Sequence, residues 1–381
     1  MSDKPDMRSY VDTRWRLRGA CLLVGALLAY IALGHYHARR IEGRNLAIAN
    51  PDLLAQAAEY HGRRINAWEP DEYADVYQLE TDAPAAREGL WLGNSQLHTV
   101  NQAQPDDSPA PRWASEALGF PVFALSLNNA NFQEHLLVTH WALARRDIDY
   151  LIVPLVFDDL REDGLRRELE PLADDATMQR FAAHPVGETL APKLLARIAG
   201  GDATDVQGTT QQSDSLQDRS EAFLTEKLSA LSPLYADRED IVAGVSYDLY
   251  RLRNYVFGID PSTKRRVIPL RKQRNMEALA ELFAVAEAAQ VRTIAYIVPL
   301  RWDVEPPYVL SEYEAWKAEA AQLAAEHGVT LLDLDQLVPD DLWGLHHGAA
   351  LDFMHFQGQG HRILGRRIAD AIRDLEAPPG E

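Results

Sequence analysis

From about residue 88 onward, short apolar runs alternate with longer stretches whose apolar residues recur at helical spacing. The runs are Leu90–Leu92, Phe120–Leu127, Ile148–Val156, Thr293–Pro299 and Val329–Leu334. Ile148–Val156 is apolar on both faces, as a strand inside a parallel sheet must be. Helical spacing marks 113–118, 132–146, 272–289, 311–327 and 358–375. Gly119 and Gly328 follow two of these as helix stops, and Ser311 with Glu314 has the spacing of a capping box. Strand and helix in alternation predict an α/β fold with a doubly wound, flavodoxin-like parallel sheet in three α/β/α layers. In such sheets the chemistry lies beyond the carboxyl ends of the strands.

The rhythm breaks between Asp158 and Leu270. Charges are frequent there, and helical patterns occur near 160–172, 190–198, 221–231 and 245–256. Residues 200–217 (GGDATDVQGTTQQSDSLQ) carry almost no large apolar side chains and read as a loop. The segment 158–270 is therefore expected to be a helical insertion, with 88–157 and 271–377 forming the α/β domain.

The N-terminus has a different pattern. Gly19–Tyr36 is an apolar run of bilayer-spanning length, preceded by Arg14, Arg16 and Arg18 and followed by Arg39, Arg40 and Arg44. The basic excess on the N-terminal side predicts a cytoplasmic tail over 1–18, a transmembrane helix over 19–36 and an exported remainder. A cleaved signal peptide is the alternative, with Ala32 and Gly34 at small-residue positions; the length of the run and the arginines after it favour an uncleaved anchor. Residues 37–87, broken at Asn50-Pro51 and Glu69-Pro70-Asp71, read as a juxtamembrane lead-in.

Composition narrows the function classes. The 381 residues carry a formal net charge of −19, so the surface opposes nucleic-acid phosphates. The one cysteine, Cys21, permits no disulfide within the chain and no cysteine-based metal site. His346, His347 and His361 cluster in sequence with Asp352 and His355, but their spacing matches no ligand frame, so neither metal nor other cofactor is expected.

Two segments carry candidate chemistry. The first strand ends in Gly93-Asn94-Ser95, which delivers a small nucleophile to the rim of a sheet, although Gly-x-Ser is also a common turn. Near the other end stands Asp352-Phe353-Met354-His355. An imidazole takes a proton from a serine hydroxyl, and a carboxylate fixes the tautomer of that imidazole. A spacing of three on a single turn brings Asp352 and His355 together. His98 reads as a solvated helix position. Asp158 and Asp159 read as helix caps in preference to sugar-binding groups. Trp302 and Tyr308 read as loop aromatics covering a core edge.

Gly93-Asn94-Ser95 after the first strand and Asp352-x-x-His355 before the last helix resemble the SGNH (GDSL-like) hydrolase family over roughly residues 88–375. The resemblance implies Ser95 as nucleophile, His355 as base and Asp352 as the group that orients it. It also implies an oxyanion site built from the serine amide, a second-block Gly and a third-block Asn. The sequence departs from this pattern: Val156-Phe157-Asp158-Asp159 contains no Asn. Asn128, Asn129 and Asn131 after the second strand offer replacement amides, Asn129 foremost, with Gln96 beside the serine as a further candidate. With the expected anchor, the chain resembles the branch containing the D-alanyl transfer protein of teichoic acid modification and the alginate O-acetylation proteins. That likeness implies a multi-spanning membrane-bound O-acyltransferase as partner, a polysaccharide or other cell-envelope polymer as acceptor, and a single-pass protein of the cytoplasmic membrane with an extracytoplasmic domain. The alternatives are a plain anchored esterase and a non-catalytic scaffold of the same fold, the latter suggested by the missing Asn.

Overall fold

The computed structural model describes residues 53–77, 87–200, 264–346 and 350–377. These residues belong to one compact unit, Asn50–Val206 with Pro261–Glu381; the other unit, Met1–Ala49 with Gln207–Asp260, lies outside them. The expected anchor at 19–36, the loop at 201–217 and the helical patterns at 221–231 and 245–256 are therefore also outside. Among the described residues no helix is long and apolar enough to cross a membrane.

In chain order the strands and helices begin with β1 (Leu53–Ala55), β2 (Glu59–Tyr60), β3 (Arg63–Arg64), β4 (Asn66–Ala67) and α1 (Tyr73–Tyr77). Then follow β5 (Gly89–Gly93), α2 (Ser95–His98), β6 (Thr99–Asn101), α3 (Ala110–Leu118), β7 (Val122–Ser126), α4 (Phe132–Leu143) and β8 (Tyr150–Leu155). Two 3₁₀ segments, Phe157–Arg161 and Arg167–Leu172, lead to α5 (Asp175–Phe181) and α6 (Pro185–Gly200). The chain resumes with α7 (Pro269–Ala288), β9 (Arg292–Ile297), α8 (Leu310–Glu326), β10 (Thr330–Asp333), β11 (Trp343–His346), β12 (Ala350–Phe356) and α9 (Gly358–Glu376).

The central sheet runs β10-β9-β8-β5-β7-β4, and every neighbouring pair is parallel. Its five long strands follow the doubly wound order in which the chain starts in the middle, moves one way to β7, and returns to build outward through β8. Side chains alternate between two cores, as the pleat requires. Leu90, Leu92, Phe123, Leu125, Leu151, Val153 and Ile297 face one way, toward α4, α7 and α8. Trp91, Val122, Ala124, Ile152, Ile294 and Tyr296 face the other, toward α3 and α9. The result is three layers with both sheet faces covered.

Four features depart from the sequence pattern or extend it. The lead-in supplies β4, which pairs with β7 at Asn66↔Ala124 and extends the sheet by one edge strand; a two-residue strand leaves no legible hydrophobic period. The described part of the expected insertion is packed onto the domain: Leu160, Leu169, Leu172, Met178, Phe181 and Leu194 join the same core as the sheet. Ser311 is not a cap, because α8 starts at Leu310 after Val309, which makes no side-chain cap bond. The capping box forms instead at Asn131, whose side chain accepts from the amides of Gln133 and Glu134 while Glu134 reaches back to the Asn131 amide.

Buried charge ties the start of β5 to the helix layer. Arg146 and Glu88 pair at 2.7 Å with side chains 4% and 2% exposed. Removing one partner strands the other's charge away from water. Arg146→Met should therefore cost about 3–5 kcal/mol in urea unfolding, and Glu88→Gln added to it should cost less than the sum of the two single changes. Strict additivity of the two changes would show that the pair is not coupled.

Candidate active site

Ser95 stands at the carboxyl end of β5, where the sheet order reverses between β7 and β8. Two local devices hold it there. Asn94 is the N-cap of α2, and its Oδ1 accepts from the Gln96 amide at 3.0 Å. Gly93 is required for close approach and not for an unusual backbone angle, since it is not among the glycines with positive φ. A Cβ there would lie 2.5 Å from Cδ2 of Leu97 and 3.0 Å from Cβ of Ser126. The helix lasts four residues, Ser95–His98, so the serine stays at the rim, half-buried.

Asp352 and His355 lie on β12, not on a helical turn. Trp343 pairs with Phe356 and Leu345 with Leu351, so the chain between those pairs bulges out of the β11–β12 ladder. The bulge turns both side chains to the same side, which a regular strand with a spacing of three would not do. His355 Nε2 lies 3.0 Å from Ser95 Oγ, and His355 Nδ1 lies 3.0 Å from Asp352 Oδ2. Asp352 Oδ1 accepts from the amides of Met354 and His355 at 2.8 and 3.0 Å, and Oδ2 also accepts from Asn101 Nδ2 at 3.1 Å. Burial opposes ionisation of Asp352, but the bond to and charge of His355 and the two amides outweigh it and hold its carboxyl below the ordinary 3.8. A carboxylate at Oδ2 only accepts, so Nδ1 of His355 carries the proton and Nε2 is free to accept from the serine hydroxyl.

Neighbouring side chains position these three. Gln96 is not placed to meet a substrate: its Nε2 donates to the carbonyls of Pro299 at 2.9 Å and Met354 at 2.8 Å, joining the serine turn to the histidine bulge. Asn131 is likewise engaged inside the protein, as the cap of α4 and, through Nδ2, as a donor to Gly164 O at 3.0 Å. Asn128 and Asn129 remain exposed beyond β7, Asn129 in the left-handed region at φ 51°. Asn101, fully buried on β6, is a further part of the site that the sequence pattern did not mark. A buried Asn next to Val100 looks like any strand end until its partner is known.

His98 is buried, not solvated. Its Nδ1 lies 2.8 Å from Ser126 Oγ, its Nε2 lies 3.1 Å from Asn128 Oδ1, and its ring stacks on Trp68. Burial first, and the charge on His355 second, push its pKa down to about 4. His361 is fully buried, and its Nε2 donates to Thr99 O at 3.0 Å, tying α9 to β6. Among the described residues no cluster of metal-ligating side chains occurs. Neither Asp158 nor Asp159 caps the 3₁₀ segment that holds them, whose N-cap is Val156. Asp158 accepts from Tyr308 at 3.2 Å and pairs with Arg265, while Asp159 is buried. Tyr308 is 1% exposed and Trp302 donates to Asp335 O, so both serve the core edge.

No family model matches the chain, and no curated protein sequence matches it. Among solved structures it is similar to a GDSL-like lipase from Bacteroides thetaiotaomicron, at 9% identity over 80% of this chain and 97% of that one, with a TM-score of 0.38. A catalytic mutant of an acetylxylan esterase from Geobacillus stearothermophilus matches at 10% identity, over 77% and 96% of the two chains, with a TM-score of 0.36. A family two carbohydrate esterase from Clostridium thermocellum in complex with cellohexaose matches at 8% identity, over 78% and 66%, with a TM-score of 0.38.

The buried histidines set a dependence of stability on pH. His98 titrates near 4 in the folded state against 6.5 ordinarily, and His135 and His361 near 3. Their folded pKa values are depressed, so the unfolded chain binds more protons between these limits, and stability falls as pH drops from 6.5 toward 4. Thermal midpoints should fall across that window, and His98→Gln should flatten part of the slope. An unchanged slope in His98→Gln would show that His98 is charged or solvated in the folded protein.

Proposed function

We propose that this chain is a serine esterase or acyl-transfer enzyme. The observation that carries the reading is the continuous Ser95–His355–Asp352 hydrogen-bond chain at the switch point of the sheet, 3.0 Å at each step.

In the first half-reaction Ser95 Oγ attacks the acyl carbonyl and its proton passes to His355 Nε2. The carboxylate of Asp352 balances the imidazolium formed. The Ser95 amide is the first of α2 and lacks an intrahelical acceptor, so it serves the developing oxyanion. Asn128 is the companion donor this reading favours, because His98 occupies its Oδ1 and leaves Nδ2 to donate. Collapse of the tetrahedral intermediate breaks the carbonyl–oxygen bond of the ester, His355 gives its proton to the leaving alkoxide, and an acyl-Ser95 ester remains. In the second half-reaction a hydroxyl gives its proton to His355 Nε2 and takes the acyl group. Water as that hydroxyl makes the enzyme an esterase, and a sugar hydroxyl makes it an O-acyltransferase.

The finer assignment is to an extracytoplasmic O-acyltransferase working on a cell-envelope polysaccharide beside a multi-spanning membrane-bound O-acyltransferase. It is supported by the apolar run 19–36 with arginines on both sides. The sequence likeness to the anchored acylation branch points the same way.

Fluorophosphonate labelling of the full-length chain in detergent tests the core of this reading. Wild type should label, and Ser95→Ala and His355→Ala should not. Asp352→Asn should label more slowly by about 10²–10⁴-fold, since an amide at that position fixes the wrong tautomer. A folded wild type that does not label, or a Ser95→Ala variant that labels as well as wild type, would overturn the assignment.

A further inference from the structure

An exposed asparagine turns its terminal amide almost freely, since that torsion is broad and nearly two-fold. Asn128 is exposed beyond β7, so something must decide whether its Nδ2 or its Oδ1 points at the developing oxyanion. Its backbone is already fixed. Gly93 registers with Ser126, and the Leu127 amide donates to Gly93 O at 3.1 Å. Asn128 therefore stands two residues past the last pair of β5 and β7, as Ser95 does. Arg166, gripped by both oxygens of Glu134, donates from Nη1 to Asn128 O at 2.5 Å. Only the turn of the side-chain amide is left open.

The ring of His98, buried against Trp68, meets that amide with Nε2 at 3.1 Å from Oδ1, and its Nδ1 lies 2.8 Å from Ser126 Oγ. Ser126 Oγ also lies 3.1 Å from Ala67 O. A hydroxyl has one proton to give, and so has a neutral imidazole. The chain of bonds can therefore run in either of two directions. If Ser126 donates to Ala67 O, Nδ1 carries the ring proton and Nε2 accepts, which turns Asn128 Nδ2 inward and Oδ1 toward the serine. If Ser126 donates to Nδ1, Nε2 carries the proton, Asn128 accepts through Oδ1, and its Nδ2 faces out. The distances decide between them. The Ser126–Ala67 contact is long for an O–H···O bond, whose usual span ends near about 3.0 Å, whereas the Ser126–Nδ1 contact is of ordinary length. A charged ring would donate to both sides, but its hydrogen-bond partners are a hydroxyl and an amide, so no carboxylate offsets the burial of that charge.

We propose that His98 is a positioning residue: with its proton on Nε2 and its Nδ1 held by the Ser126 hydroxyl, it binds Asn128 Oδ1 and aims Asn128 Nδ2 at the oxyanion. This rests on the reading of Ser95 as nucleophile and of Asn128 as companion donor. The opposite tautomer would present the amide oxygen to the site, and an acceptor there repels the charge that forms. The tautomer of a histidine bonded to neither serine nor substrate thus sets the sign of the dipole beside Ser95.

Two measurements on the full-length chain in detergent test this. The first reads the tautomer, by NMR of the imidazole nitrogens in protein carrying isotope-labelled histidine at neutral pH. The His98 signals are those that His98→Gln removes, and they should show a proton on Nε2 and none on Nδ1. The second is a cycle of fluorophosphonate labelling rates on folded samples. Asn128→Ala should slow labelling by about 10²-fold or more, as loss of an oxyanion donor does. His98→Ala should slow it by about tenfold, because the amide is freed to turn. His98→Gln, whose own amide can donate to Asn128 Oδ1, should recover the rate to within about threefold of wild type. In the Asn128→Ala background His98→Ala should cost less than about twofold, since His98 acts only through Asn128. A proton on Nδ1, or a His98→Ala loss that is the same with and without Asn128, overturns the proposal. The tautomer is read whether or not any sample labels, so failure of Ser95 as nucleophile and failure of His98 to orient Asn128 give different results.

Discussion

A carboxylate buried at the rim of a parallel sheet must be compensated, and the geometry around Ser95 depends on how that is done for Asp352. Burial alone would favour the neutral acid. Four donors reverse this: the amides of Met354 and His355, the Asn101 side chain and the His355 ring. Each donor comes with a structural demand. The two amides require the β12 bulge, Asn101 requires β6 to pass beneath it, and the ring bond fixes His355 with Nε2 toward the serine. Gly344 completes the arrangement, since a Cβ there would lie 1.8 Å from the Asn101 side chain. The triad is a consequence of satisfying one buried charge.

The sheet supplies the second half of the geometry. Strand β5 has β7 on one side and β8 on the other, so the segments beyond both flank Ser95. One brings Asn128, held by His98; the other brings the buried Asp159. Gln96 then ties the serine turn to the loop after β9 and to the histidine bulge. Residues far apart in the chain are locked into one constellation by hydrogen bonds between side chains and from Gln96 to backbone carbonyls. Such bonds give little specificity in sequence and a great deal in space.

What was legible in advance follows from period. The five long strands and the long helices each bury a face, and burial leaves a repeat of two or of 3.6 along the chain. The two-residue β4 and the β11–β12 hairpin leave none. Ser311 and Asn131 both fit a capping box in sequence, and only the direction of the incoming chain makes Asn131 the cap and leaves Ser311 inside its helix. His98 passed for a surface residue because one polar side chain between Leu97 and Thr99 does not tell which way it points. Gln96 and Asn131 passed for substrate donors for the same reason.

The sequence by itself determined the alternation of strands and helices, hence a doubly wound sheet, and the identity of the three groups at its rim. Those follow from local hydrophobic period and from the few side chains able to form a nucleophile, a base and an orienting acid. Tertiary structure alone decided which polar residues face the reaction and which are used up inside the protein. Asn131 and Gln96 were turned inward to cap and to bridge, while Asn101 was drawn to the site from β6 and His98 was folded onto Ser126 and Asn128. The physical reason is that a buried polar group must find a partner. The partner lies across space from residues that no local pattern connects to it.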